Sequence, residues 1–113
     1  MIIAIPQLNY KAGDIQGNSE KIISAIQKAQ NQKAELILFP ELAVSGALPQ
    51  DLLEREEFVN ACRMAVEKIA ATCTQIAAIV GASNLDSENG IMYNSAYFIQ
   101  NGEVVDGVHK NIL

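Results

Sequence analysis

The sequence predicts an α/β fold, and two observations carry that prediction. Two short apolar runs, 1–5 and 36–39, flank a segment whose apolar residues recur at helical spacing. A strand, a helix and a second strand in this order form a βαβ unit, whose strands are usually parallel. A third apolar run, 76–81, follows a second helical segment and extends the same alternation.

The first βαβ unit predicts three elements. The run 1–5 is apolar and ends at Pro6, which is typical of a buried strand. A polar loop, 7–18, follows, and Asn18 or Ser19 is expected to cap a helix over about 18–33, with Glu20 in its first turn. The second strand, 36–39, then runs directly into Pro40.

The second half begins with a helix predicted over about 51–72. Asp51 and Glu54 have the spacing of a capping box at its start. Cys62 and Cys73 lie on its apolar stripe, and we interpret them as core residues in a reduced compartment. Eleven positions on one helix separate them by about 16 Å, which is too far for a disulfide.

The remaining chain predicts a strand, a loop and a hairpin. The run 76–81 is a buried strand and 83–91 a polar loop. The strand 93–100 and the strand 104–109 are joined by Asn101-Gly102, a strong signal for a two-residue hairpin turn. Only two helices are available to cover this sheet, so we expect either a second copy of the chain or a longer protein around it.

Composition excludes several classes of function. The chain has 113 residues, half of them hydrophobic, and a net charge of −5, which argues against a nucleic-acid surface. No apolar run approaches the about 20 residues that a membrane helix needs, and the N-terminus lacks the basic region of a signal peptide. We therefore expect a cytoplasmic protein. With His109 as the single histidine and no Cys/His cluster, no zinc site is expected.

Glu41 and Lys110 are the candidate catalytic residues. Pro40 cannot continue an interior strand ladder, so Glu41 is predicted at the carboxyl end of a strand, where open α/β sheets bind ligands. Lys110 is predicted to follow the strand after the hairpin. Each residue taken alone also fits a simpler interpretation. Glu41 would be a loop acid that caps a nearby group, and Lys110 would be a solvated surface lysine. We predict that the two converge in space.

Five short motifs in order resemble the nitrilase (carbon–nitrogen hydrolase) superfamily. The stretch F-P-E-L-x-x-x-G at 39–46 is similar to its glutamate motif, and His109-Lys110 is similar to its lysine motif. The segments 7–18, 49–53 and 94–102 resemble more closely the N-terminal glutaminase domains of glutamine-dependent NAD synthetases. This resemblance implies a four-layer α-β-β-α sandwich, of which residues 1–113 are the N-terminal part, with the remaining layers and the synthetase domain absent.

The resemblance also implies a reaction. Glu41 would be the general base, Lys110 would stabilise the oxyanion, and a cysteine would attack the side-chain amide of L-glutamine and release ammonia. No cofactor is implied for this segment. ATP, Mg²⁺ and the dinucleotide substrate would bind the synthetase domain, and the parent protein is expected to be a homo-oligomer.

The sequence departs from the family pattern at two points. The family's nucleophile lies some tens of residues beyond its lysine, whereas this chain ends three residues after Lys110. Neither Cys62 nor Cys73 matches that position, so we expect the chain alone to be inactive. Ala47 stands where many members carry a tyrosine thought to help bind glutamine, which leaves that contact open.

Two other functions are compatible with parts of the sequence. One is a stand-alone amidase of the nitrilase type, which would share Glu41 and Lys110 but lack the synthetase domain. The other is a non-catalytic βαβ module that binds a nucleotide or a partner. The absence of G-x-G-x-x-G or G-x-x-x-x-G-K-[ST] after the first strand counts against that module.

Overall fold

A computed structural model of the chain confirms the α/β class. It describes residues 1–40, 43–46, 56–86 and 91–111, with side chains described for 1–40, 43–46, 57–82 and 94–109. The elements in chain order are β1 (Ile3–Ala4), α1 (Ile15–Asn31), β2 (Leu36–Leu38), α2 (Glu56–Thr72), β3 (Ala77–Asp86), β4 (Ile91–Gln100) and β5 (Glu103–Asn111). The five described strands lie in the sheet in chain order; β1, β2 and β3 are parallel, and β4 is antiparallel to both β3 and β5.

One face of the sheet carries the two described helices, and the hydrophobic core lies between these helices and the sheet. Alternating residues of β3 point to this covered face, and its Ala78 and Val80 are fully buried. They belong to one cluster with residues of both helices and of the neighbouring strands: Ile22, Ile26, Val66, Ile69, Ile37 and Ile99. The other face, which we call the open face, carries half-buried Ile79 and Phe98 and exposed Val108.

Helix α1 begins earlier than the sequence predicts, and its cap is a different residue. Asp14 is the N-cap, and its carboxylate accepts a hydrogen bond from the Gly17 N–H at 2.9 Å. The prediction that Asn18 or Ser19 caps the helix is wrong, because both lie inside its first turns and are buried. The helix ends where Lys33 adopts a φ of 64° and the Ala34 N–H donates to the Ala29 carbonyl.

The strand β1 differs from the predicted buried strand. It contains only Ile3 and Ala4 and forms the edge of the described sheet, so Ile3 is 47% exposed. The parallel pairing of β1 with β2 confirms the predicted βαβ unit. Because an edge strand has only one neighbouring strand, the apolar residues of β1 are not buried as the sequence predicts.

The strand β3 continues through the segment predicted as a polar loop. Residues 83–86 pair antiparallel with 91–94, and the pairing makes a long hairpin with β4. Their polar character is compatible with a strand whose neighbour supplies backbone hydrogen bonds. The predicted hairpin at Asn101-Gly102 is confirmed, since these residues have φ values of 55° and 79°, as a type I′ turn requires.

The two cysteines lie in or directly after helix α2 and belong to the hydrophobic core. Cys62 lies in the helix and Cys73 directly follows it; both are buried and neither forms a disulfide, which confirms their interpretation as core residues. Burial raises the pKa of the Cys73 thiol to about 11. The predicted capping box of Asp51 and Glu54 lies outside the described residues. No helix in the described part of the chain is long and apolar enough to cross a membrane.

Candidate active site

Two cavities are both lined by Phe39, the first residue of the motif that contains the candidate base. The first, of about 260 Å³, is lined by β3, β4 and β5 residues together with Phe39: Ile79, Gly81, Asn94, Ser95, Ala96 and Val108. The second, of about 310 Å³, lies between the loop after β1 and the end of β2, and Tyr10, Phe39 and Pro40 line it. Both cavities therefore border the carboxyl end of β2.

The chain around Glu41 is attached to β3 on both sides. The Phe39 N–H donates to the Ile79 carbonyl at 3.0 Å, and the Val44 N–H donates to the Gly81 carbonyl at 3.3 Å. Glu41 itself lies outside the described residues. The two hydrogen bonds nevertheless fix the described backbone before and after Glu41. Their acceptors, Ile79 and Gly81, are two residues apart on β3.

Lys110 lies within β5 rather than after it, which corrects the sequence prediction. Its backbone is paired with Asn94, a residue that lines the 260 Å³ cavity. Because β2, β3 and β5 run in the same direction, their carboxyl ends lie at the same edge of the sheet. The Lys110 side chain is outside the described residues, so the convergence of Glu41 and Lys110 stays a prediction.

The loop that follows Glu41 is held by a buried asparagine of α1. Asn18 Nδ2 donates to the Lys11 carbonyl at 2.8 Å and to the Val44 carbonyl at 3.0 Å. Its Oδ1 accepts from the Lys11 N–H at 2.8 Å. The Gly13 N–H adds a bond to the Ser45 carbonyl at 2.9 Å. We call this arrangement of residues 11–14, Asn18 and 43–46 the clasp.

Gly46 closes the clasp because its backbone leaves no room for a side chain. Its φ is 70°, and a Cβ atom there would lie 2.9 Å from the Ala12 Cα. The Gly17-Asn18 and Gly46 motifs are visible in the sequence, but neither the approach of Gly46 to Ala12 nor the bond from Asn18 to Val44 could be predicted from them. Nothing local signals it, since Asn18 and Val44 are 26 positions apart.

Three further polar side chains, those of Tyr10, Ser95 and His109, lie near the candidate site. The Tyr10 hydroxyl is buried without a hydrogen-bond partner among the described residues, and burial raises its pKa. Ser95 Oγ lies 2.6 Å from Nδ1 of His109, whose ring also packs edge-on against Tyr97. This contact joins β4 and β5 one residue before Lys110. No group of three potential metal ligands occurs among the described side chains.

Comparison with known proteins identifies the class. The profile of the family described as carbon-nitrogen hydrolase matches residues 2–113, so the chain belongs to the carbon–nitrogen hydrolase family. Glutamine-dependent NAD(+) synthetases are among its relatives. The one from Xylella fastidiosa (strain Temecula1) is 38% identical over 98% of this chain and 20% of its own length, and that from Aquifex aeolicus is 36% identical over 96% and 18%.

Solved structures agree with this assignment and with the predicted nitrilase-type fold. A glutamine-dependent NAD(+) synthetase from Cytophaga hutchinsonii superimposes with a TM-score of 0.89 at 29% identity, over 98% of this chain and 19% of that one. An amidase of the nitrilase superfamily from Nesterenkonia gives 0.80 at 28% identity, over 96% and 42%. The chain thus spans about one fifth of the length of the curated synthetases it matches.

Proposed function

We propose that this chain is the first part of a glutaminase domain that supplies ammonia for ATP-dependent NAD synthesis. The observation that carries the proposal is the cavity of about 260 Å³, which is lined by Phe39 and Val108. Each of these residues stands two positions before a candidate catalytic residue, Glu41 or Lys110. Identities of 36–38% to glutamine-dependent NAD(+) synthetases over nearly the whole chain support it.

In the proposed reaction, Glu41 acts as the general base. A carboxylate beside the thiol takes its proton, and the thiolate attacks the side-chain amide carbon of glutamine. Lys110 stabilises the negative charge that develops on the amide oxygen. Glu41 gives that proton to the amide nitrogen, so that the C–N bond breaks, ammonia leaves and the thioester remains. The regenerated carboxylate then activates a water that hydrolyses the thioester to glutamate and the free thiol.

The nucleophilic cysteine is proposed to lie in the parent protein beyond these 113 residues. Cys62 and Cys73 are buried beside the helical layer, and the raised pKa of Cys73 disfavours its thiolate. ATP, Mg²⁺ and the dinucleotide substrate are likewise proposed to bind elsewhere in that protein. A cytoplasmic location and a homo-oligomeric assembly belong to the same proposal.

The decisive substitution is Glu41→Gln in the longer protein that contains this chain. The amide keeps the shape of the side chain but cannot accept the proton. We expect glutamine-dependent NAD formation to fall by at least about 100-fold, the size typical of a lost general base, while ammonia-dependent formation is retained. Both rates are measured by NAD production, with Glu57→Gln on the exposed side of α2 as the matched control.

The two activities separate the possible outcomes. Equal loss of both rates would mean that the substitution acts on folding and not on the proposed base. Hydrolysis of glutamine or of simple amides without any NAD formation from ammonia would instead favour the stand-alone amidase. The fit to the Nesterenkonia amidase, which covers 42% of that enzyme, keeps this second function in view.

The 113-residue chain alone is expected to release no glutamate from glutamine. Both of its thiols are buried away from the cavity that Phe39 lines. The assay compares the chain with a Cys62→Ser/Cys73→Ser double variant. Glutamate release that disappears in the double variant would identify a helix cysteine as a working nucleophile and overturn the assignment of the site.

A further inference from the structure

We propose that Asn18 is a positioning residue for the glutaminase reaction, acting through the clasp on the backbone that follows Glu41. The inference rests on the proposed function and extends it to a residue that neither touches the substrate nor takes part in proton transfer. It starts from the burial of Asn18, whose exposed fraction is 0%. A buried polar side chain in the first turns of a helix needs hydrogen-bond partners to be retained there.

Asn18 has three hydrogen bonds, and they join three separate parts of the chain. Both amide hydrogens are donated to carbonyls, one of Lys11 and one of Val44, and the amide oxygen accepts from the Lys11 N–H. The helix α1, the loop before it and the loop after β2 therefore meet at a single side chain. Only an amide of this length supplies two donors and one acceptor in this arrangement.

The bond to Val44 connects the asparagine with the candidate base. Val44 also donates its N–H to the Gly81 carbonyl, so its peptide units are held from both sides, by β3 and by α1. Three positions separate Val44 from Glu41, and the described anchor on the other side is the bond from Phe39 to Ile79. Because few residues lie between these two anchors, we expect a displacement of the clasp to displace Glu41 as well.

The remaining contacts of the clasp come from different residues and point to the same function. The Gly13 N–H bonds the Ser45 carbonyl, and Gly46 approaches the backbone of Ala12 so closely that a Cβ atom would collide with it. The backbone of residues 11–13 therefore lies directly against the backbone of Ser45 and Gly46. Catalysis is sensitive to such placement, since a shift of about 1 Å in a reacting group can cost about 100-fold in rate.

The test uses the longer protein that contains this chain, with the variants Asn18→Ala and Asn18→Asp. The aspartate keeps the size and the bond from the Lys11 N–H but loses both donors. Ser19→Ala is the matched control, because Ser19 is also buried on α1 and its hydroxyl donates within the helix, to the Ile15 carbonyl at 2.6 Å. Gly46→Ala disturbs the clasp from the opposite side.

Four quantities are measured: kcat and KM for glutamine, the ammonia-dependent rate, and the folded fraction by circular dichroism. We expect kcat per folded molecule to fall about 100-fold in both Asn18 variants and in Gly46→Ala, with KM and the ammonia-dependent rate nearly unchanged. We expect Ser19→Ala to retain its kcat. The loss of kcat should persist on cooling well below the melting temperature, where a loss of folded molecules would be reversed.

The outcomes distinguish this inference from the proposed function. Absence of glutamine-dependent activity in the unsubstituted protein would overturn the proposed function and, with it, the inference. Normal activity in that protein together with a kcat per folded molecule that Asn18→Ala lowers no more than Ser19→Ala would overturn the inference alone. Recovery of kcat on cooling would do the same, since it would show that Asn18 only stabilises the fold.

Discussion

Val80 and Val108 lie on opposite faces of one sheet, and their surroundings differ sharply. Val80 is fully buried between β3 and the helices, whereas Val108 is 70% exposed on the open face. The two faces are nevertheless both apolar in composition. The covered face is closed by α1 and α2 and supports the fold, while the open face borders the cavity next to the candidate catalytic residues.

The difference teaches that apolar composition does not decide which face is closed. Ile3 and Val108 are as hydrophobic as the core residues Ile37 and Val80, yet they remain exposed in this chain. Val108 stays uncovered because both described helices cross over the other side of the sheet, and Ile3 stays exposed because β1 is an edge strand. A protein of this family that is longer than the chain has further residues available to cover the open face.

The largest expected effect concerns the thiol of Cys73 beside the covered face. Its pKa, raised from 9.0 to about 11, lowers the thiolate fraction at pH 8 about 100-fold relative to the unfolded chain. In a Cys62→Ala variant we therefore expect alkylation of Cys73 to be at least that much slower in buffer than in denaturant. Equal rates would show that the covered face is open in solution.

Because of the same shift of the Cys73 pKa, the free energy of unfolding is expected to depend on pH. Below pH 9 the thiol is protonated in both the folded and the unfolded chain, so its contribution is constant. Between pH 9 and about pH 11 the unfolded thiol ionises while the folded one keeps its proton, so the free energy of unfolding falls as pH rises. In the Cys73→Ala variant this part of the decrease should be absent. Denaturant titrations between pH 8 and about pH 11 measure the free energy of unfolding of both proteins.

A smaller effect is expected from the matched pair Val80→Ala and Val108→Ala. Removing two buried methyl groups at Val80 should lower the free energy of unfolding by about 2 kcal/mol, because it leaves a cavity in a closed core. The same change at exposed Val108 should alter it by less than about 0.5 kcal/mol. Urea unfolding of the 113-residue chain measures both.

Repeating the pair in the longer protein sharpens the comparison. If further residues of that protein cover the open face, the cost of Val108→Ala should rise toward that of Val80→Ala. An unchanged small cost would mean that the face around Val108 remains open to solvent there. The covered-face variant serves as the internal standard, since its surroundings lie within the described chain.

The parts of the fold that local sequence determines could be predicted, and those that depend on distant partners could not. The hairpin at Asn101-Gly102 was predictable because a two-residue turn needs positive φ at those very residues. Asn18 was misread as a cap because its partners, Lys11 and Val44, are 7 and 26 positions away. The exposure of Ile3 followed from the order of strands, which no single segment encodes.

The candidate site was predictable to a different extent. Residues 39–46 and 109–110 were recognised by their motifs, and the direction of β2, β3 and β5 places their strand ends at one edge. The role of Gly46 was beyond the sequence, because its close approach to Ala12 exists only once the loop before α1 has folded back. The meeting of Glu41 and Lys110 remains a prediction.

The order of strands has a consequence for how the chain is assembled during synthesis. Every strand lies beside the strand that precedes it in sequence, from β1 at one edge to β5 at the other. As the polypeptide leaves the ribosome, each new strand can therefore be added to the free side of the sheet already formed. Among the described strands, none has to be inserted between two neighbours that have already paired, so the sheet can grow in one direction from the N-terminus.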